Sequence, residues 1–320
     1  MAKGRRYAPR KKKKQPFWIS AVVLLAAALL AGARQLGLSW EDLPVVGSPA
    51  SSIVQAVPEG TLEVVYFDVG QADSELIRLP GGQNILIDAG TSATQEALVG
   101  ELRSLGVETL DLVVATHPHA DHIGGMAEVI DQLDVRQVVM PRVAESETPT
   151  TKTYENLLQS IANEGLSITP AGPGAELWNQ NGAVLTVLGP NGSGYGNLNN
   201  YSVVLRLTFG EDSFLFTGDA ETDSEEEMLA RGYDLSATVL KCGHHGSETS
   251  TSQAFLDAVS PQYAVISCGV DNDYGHPDAV TLDKLSAAGV EVFRTDLQGT
   301  ITAVTSGSGV TIAAQGKQGT

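Results

Sequence analysis

The chain has 320 residues, 42% of them hydrophobic, with 34 glycines and only two cysteines. This is enough apolar surface for one large domain or two small ones, and it excludes a fibrous or disordered chain and a disulfide framework. The formal net charge of −18 hides an asymmetry: eight of the 20 Lys and Arg lie in the first 16 residues, which hold no acid, leaving 12 basic against 38 acidic groups in the rest.

A basic tail, residues 1–16, thus precedes an acidic body. Phe17–Ala33 is uncharged, and Leu36–Trp40 extends its apolar length. Residues 17–38 therefore read as a transmembrane anchor near the short end of what spans a bilayer. Positive charge before the span places the N-terminus in the cytoplasm and the body outside, as a single-pass cell-membrane protein. The competing reading is a signal peptide cleaved near Ala31-Gly32-Ala33, which would secrete the body. Residues 39–59, with Pro44, Gly47, Pro49 and Pro58, read as a tether.

From residue 61 the pattern becomes that of a layered α/β domain. Strands are expected at 62–67, 74–79 and 84–87, with a turn at Pro80-Gly81-Gly82. An amphipathic helix over 94–105 stops at Gly106. A strand at 110–115, a helix over 123–133 and a strand at 137–140 come next. After a helix over 154–164, strands are expected at 183–188, 202–209 and 213–216. The remainder alternates: helix 221–230, strand 238–240, helix 252–258, strand 264–267, helix 279–288, and strands at 290–293 and 300–304. Cys242 and Cys268 suit either two buried thiols or one disulfide.

Thr116-His117-Pro118-His119-Ala120-Asp121-His122 carries the chemistry. Three imidazoles and a carboxylate directly after an apolar strand are the donors zinc takes outside thiolate sites. On an extended segment His117 and His119 point the same way. Asp121 and His122, on the turn into the next helix, are free to serve a second metal. The other three histidines, His244, His245 and His276, also follow expected strands rather than scattering into helices. Asp219 follows an apolar strand as well, where it suits a metal ligand or a helix N-cap.

The segment resembles the HxHxDH signature of the metallo-β-lactamase superfamily. Asp88, in Leu86-Ile87-Asp88-Ala89-Gly90, matches the aspartate that orients the histidine loop there, and Asp219 matches the carboxylate bridging two metals. Phe67–Asp73, Lys241–Ser247, Tyr274–Pro277 and Arg294–Asp296 are similar to the C-terminal, nuclease-like domain of ComEC-type DNA-uptake proteins and to a secreted phosphorylcholine esterase domain. The resemblance covers residues 62 to about 304. It implies a four-layer αββα sandwich for the domain at 60–314, followed by a short tail at 315–320.

It also implies two divalent cations that share Asp219 and a bridging hydroxide. His117 and His119 hold the first cation; Asp121, His122 and His276 hold the second. Asp121 also orients the hydroxide, and His245 faces the scissile group as proton donor or oxyanion stabiliser, in a role His244 can exchange with it. Zinc suits the donors, and manganese competes where oxygen replaces a histidine. Two departures stand out. Ala72 stands where glycine is common. No histidine lies between His122 and His244, so Asn200 occupies the place of the third ligand to the first metal, as a weak ligand, a holder of water, a substrate contact or a plain loop residue.

The missing histidine fits a lactamase or thioesterase poorly. The function implied is a phosphodiesterase or nuclease on extracellular DNA, working with a separate uptake channel. An envelope phosphoester is the alternative substrate, and a non-catalytic metal-binding module the alternative class. The acidic body argues against charge-driven binding of nucleic acid.

Overall fold

A computed structural model of the chain describes residue 57 and residues 60–317. The basic tail, the anchor and all of the tether but residue 57 lie outside the described residues. Among the described residues no helix is long and apolar enough to cross a membrane.

The domain opens with an antiparallel meander of β1 (Leu62–Tyr66), β2 (Glu75–Arg78) and β3 (Asn84–Ile87). Helix α1 (Gln95–Ser104) leads through β4 (Thr109–Leu110) into β5 (Leu112–Val114). Helices α2 (Ala120–Ile123) and α3 (Met126–Gln132), then β6 (Asp134–Val135) and β7 (Val138–Met140), follow. Helix α4 (Lys152–Asn163) starts at Thr151, whose hydroxyl accepts from the Tyr154 N–H. Next come β8 (Ile168–Pro170), β9 (Glu176–Gln180), β10 (Ala183–Gly189), β11 (Val204–Phe209) and β12 (Asp212–Phe216). The rest alternates as α5 (Thr222–Arg231), β13 (Val239–Lys241), α6 (Gln253–Val259), β14 (Tyr263–Ile266), α7 (Ala279–Ala287), β15 (Glu291–Arg294) and α8 (Thr295–Gln298). The hairpin β16 (Ile301–Thr305) and β17 (Val310–Ala314) closes the fold.

One sheet has eight strands in the order β17-β16-β1-β2-β3-β5-β7-β8, and the other seven in the order β15-β14-β13-β12-β11-β10-β9. Alternation along each strand builds three apolar layers from them. In β3, Ile85 and Ile87 face the core between the sheets while Leu86 faces outward onto α1, α3 and α4. In β12, Phe214 and Phe216 enter the same central core while Leu215 packs under α5, α6 and α7. Helices thus cover both outer faces, which gives the αββα sandwich. The strands at its centre are apolar on both sides, as strands buried on two faces must be.

The structure departs from the sequence reading in two features and decides a third that the sequence left open. The helix expected over 123–133 is two pieces, α2 and α3. A Cβ at Gly124 would strike Ala120 O and the Ser92 backbone, and one at Gly125 would strike Ala89 O. The glycines let the chain after Asp88 lie directly on this helix pair. Strands β8, β9 and β17 were not expected, because they are short edge strands that stay largely exposed. Cys242 and Cys268 are free, buried thiols.

Strands β3 and β5 run parallel in one sheet, and β12, β13 and β14 run parallel in the other. Their C-terminal ends deliver Asp88, His117, Asp219, His244 and His276 to one edge of the sandwich, where open α/β sheets place their ligands.

Candidate metal centre

The HxHxDH turn is fixed from behind. Asp88 is fully buried, at φ 54°, and its carboxylate takes the Thr116 N–H at 2.8 Å, the Thr116 hydroxyl at 2.6 Å and His122 Nδ1 at 2.7 Å. With Nδ1–H committed, His122 presents Nε2 forward, the arrangement that fixes a metal-binding imidazole. That Nε2 lies 3.2 Å from Asp219 Oδ2 and 3.9 Å from Asp121 Oδ2. His117 is equally buried; its Nδ1 lies 3.1 Å from the Thr116 hydroxyl and 3.3 Å from the Ser202 hydroxyl, leaving Nε2 forward. His117 Nε2 and His119 Nδ1 face each other at 3.0 Å, with Asp219 Oδ2 3.8 Å from the former.

From the other sheet, β13 ends in the turn Gly243–Gly246, where His244 and His245 are both left-handed (φ 50°, ψ 47°; φ 55°, ψ 25°). Histidine tolerates that region better than β-branched residues, but two in succession store strain of the order of 1–3 kcal/mol each. The twist sends the two rings to different places. His245 is buried and donates Nδ1–H to Ser267 O at 3.0 Å. Its Nε2 then lies 3.2 Å from Asp121 Oδ2 and 3.8 Å from Asp219 Oδ2. His244 stays open to the cavity, with Nδ1 held by the Thr249 hydroxyl at 3.1 Å and Glu221 at 3.2 Å.

One ligand atom each from Asp121, His122, Asp219 and His245 lies within 4.8 Å of all the others. The set thus contains His245, which the sequence reading gave to the substrate, and not His276, which it gave to the metal. His276 lines the same cavity, its ring 6.5 Å from that of His245. The difference comes from the left-handed turn, which points His245 inward in a way residue spacing does not reveal. Asn200 also has other work: its side-chain oxygen accepts the Glu221 N–H at 3.1 Å and the Ser224 N–H at 3.4 Å, capping α5. Its neighbour Asn199 lines the cavity, with a buried side-chain oxygen that makes no hydrogen bond.

The electrostatics of the donors fit a cation. Burial would raise the Asp219 carboxyl, but His122 and His245 hold it well below the usual range. Burial would likewise neutralise His245, yet Asp219 and Asp73 push it up to about 10. His122 is raised in the same way, against burial, by Asp219 and Asp88. Asp219 Oδ1 is buried without a hydrogen-bond partner. Carboxylates that draw protons onto adjacent imidazoles, beside an orphaned buried oxygen, form a donor set short of positive charge. A divalent cation fits it among Asp121, His122, Asp219 and His245.

A buried ion pair supports this wall and was not foreseen. Lys241 Nζ lies 2.6 Å from Asp73 Oδ2, both residues 1% exposed, and it also donates to Cys242 O at 3.0 Å. Asp73 Oδ1 is 3.3 Å from His245 Nδ1. Burial alone would raise Asp73, but Lys241 and His245 bring it down to about 2. The available signal was a lysine ending an apolar strand, which requires a buried acid. Gln71, which joins the cavity to the 269–276 loop through its bond to the Gly269 N–H at 2.9 Å, was likewise not singled out.

Similarity to known proteins agrees with this geometry. The chain is 34% identical over 289 residues to competence protein ComA of Neisseria gonorrhoeae, covering 89% of this chain and 38% of that protein. It is 32% identical over 256 residues to ComE operon protein 3 of Bacillus subtilis (strain 168), covering 75% of this chain and 32% of that protein. The chain therefore spans about a third of these relatives' length. The fold resembles the solved structure of CmlA, a diiron beta-hydroxylase from Streptomyces venezuelae, with a TM-score of 0.51 at 16% identity, over 84% of this chain and 58% of that one. Residues 67–270, from the strand before Asp73 to the loop before His276, match the metallo-beta-lactamase superfamily, and the chain belongs to that family.

Proposed function

We propose that this domain is a dinuclear metal-dependent phosphodiesterase acting on nucleic acid, held outside the cytoplasm by the apolar segment at 17–38. The observation that carries the reading is Asp219. Its Oδ2 lies 3.8 Å from His117 Nε2, 3.2 Å from His122 Nε2 and 3.8 Å from His245 Nε2, so one carboxylate faces imidazoles of both walls as a bridging ligand must. Cations held there supply Lewis acidity and a water-derived nucleophile at neutral pH.

The chain's own groups divide the remaining work. Asp121, its side chain 35% exposed, reaches the cavity and orients the attacking water. His244 Nε2 lies 3.9 Å from Asp219 Oδ2 at the open side, placed to give a proton to the leaving oxygen. It thereby takes the role first read for His245, whose ring is committed to the donor set. The similarity to competence protein ComA and ComE operon protein 3 supports DNA as substrate, with a separate channel as the proposed partner.

The test is hydrolysis of a chromogenic phosphodiester and of single-stranded DNA by metal-loaded protein. Both should be cleaved, and His119→Ala should abolish both activities. Cleavage of neither, with metal bound, would sink the reading and leave a metal-binding module.

A further inference from the structure

Five large hydrophobic residues are exposed among the described residues, and Val270, Tyr274 and Leu297 are three of them. All three line the metal cavity or the cavity beside it. Tyr274 is 73% exposed, with its ring 5.7 Å from that of His276 at an interplanar angle of 24°, a stacked pair with one face open. The loop under it is braced. Asn272 Nδ2 donates to Gly269 O at 3.0 Å and to His276 O at 2.6 Å, and Asn272 Oδ1 accepts the His276 N–H at 3.0 Å. The braced loop has little backbone freedom left to lose on contact with a ligand, and a tyrosine has only two side-chain torsions to fix.

The metal cavity is about 330 Å³ and has no Lys or Arg in its lining. The neighbouring cavity, about 360 Å³, shares His276 with it. Its one cationic side chain, Arg294, is turned onto Asp296 through bonds of 3.0 and 2.6 Å. Within these two cavities a nucleic acid meets no Lys and one Arg that is already paired, so the affinity it gains there beyond the metals leans on its bases.

We propose that Tyr274, backed by His276, is a stacking platform for the nucleobase next to the scissile phosphodiester, with the shared cavity beyond His276 receiving the adjoining nucleotide. The proposal rests on the phosphodiesterase reading and deepens it. A single open aromatic face suits a flat base, whereas a quaternary ammonium group is held by a cage of several faces. Stacking of this kind tolerates any base.

The test is a cycle on full-length, metal-loaded protein, comparing a short single-stranded oligonucleotide with the same oligonucleotide made abasic beside the cleavage site. Cleavage and fluorescence-anisotropy binding are both measured for wild type, Tyr274→Ala and Tyr274→Phe. Tyr274→Ala should weaken binding of the base-bearing strand and raise its KM by about 5- to 100-fold, the range alanine substitution gives at base-stacking sites. Tyr274→Phe should restore both. Removing the ring and removing the base should each give that loss, and removing both should give no more. If the strand is cleaved but the two losses simply multiply, the platform is overturned and the phosphodiesterase reading stands. Base-dependent, Tyr274-dependent binding without cleavage keeps the platform and overturns the phosphodiesterase reading. A Tyr274 dependence confined to choline phosphoesters, with neither strand bound, overturns both.

Discussion

On the wall built by the first half of the chain, His117 and His122 are fully buried, and Asp88 and Thr116 bond to the ring nitrogens that face away from the cavity. On the wall built by the second half, His244 and His245 sit at successive left-handed residues, and Tyr274 stands in water. The first wall is braced mainly by Asp88 and Thr116, from one sheet and its turns. The second depends on a contact 168 residues long-range, Lys241 to Asp73, to hold its inner imidazole. A rigid wall suits ligation, and a wall of loops suits reading a substrate. Asp219 is the seam, since its Oδ2 faces rings from both.

Asp219→Ala removes the seam and has the largest effect. Because both proposed cation sites use it, phosphodiesterase activity should fall by more than the roughly 10²- to 10⁴-fold that loss of a proton donor gives. Steady-state hydrolysis alongside metal analysis checks this. Retained activity would mean that the walls act separately.

His244→Ala tests the catalytic part of the second wall. On DNA, whose alkoxide leaving group needs a proton, kcat should drop about 10²-fold or more. On a nitrophenyl ester, whose leaving group does not, the drop should be much smaller. Equal losses on the two substrates would remove His244 from proton transfer.

Lys241→Met tests the long-range support. It leaves Asp73 charged and buried, which should cost about 3–5 kcal/mol in denaturant unfolding. Adding Asp73→Asn should recover most of that loss, because the stranded charge is gone. Full additivity of the two substitutions would show that the pair is not coupled.

Asp88→Asn tests the first wall and should have the smallest effect. It keeps the shape but gives up a charged acceptor, so metal affinity should fall roughly 10- to 100-fold, the usual cost of losing a partner behind a ligating histidine. Competition with a chelator measures this directly.

The first wall was largely legible in the sequence, and the second was not. His117, His119, Asp121 and His122 are close neighbours after an apolar strand, so spacing alone brings them together. Local alternation likewise marks β3, β5 and β12. What sets the second wall is non-local. The direction of the His245 ring depends on two left-handed residues, which spacing does not reveal. Asn200 looked like a stand-in for a ligand because its use, capping α5 across more than 20 residues, is visible only in three dimensions. Strands β8, β9 and β17 escaped because edge strands in water need no apolar pattern.

Metal stoichiometry by mass spectrometry of dialysed protein, compared for wild type, His245→Ala and His276→Ala, tests the ligand set most directly. Two cations per chain are predicted for wild type and for His276→Ala, and one for His245→Ala, with His117, His119 and Asp219 keeping theirs. A cation lost from His276→Ala but kept by His245→Ala would contradict the ligand set drawn from the left-handed turn.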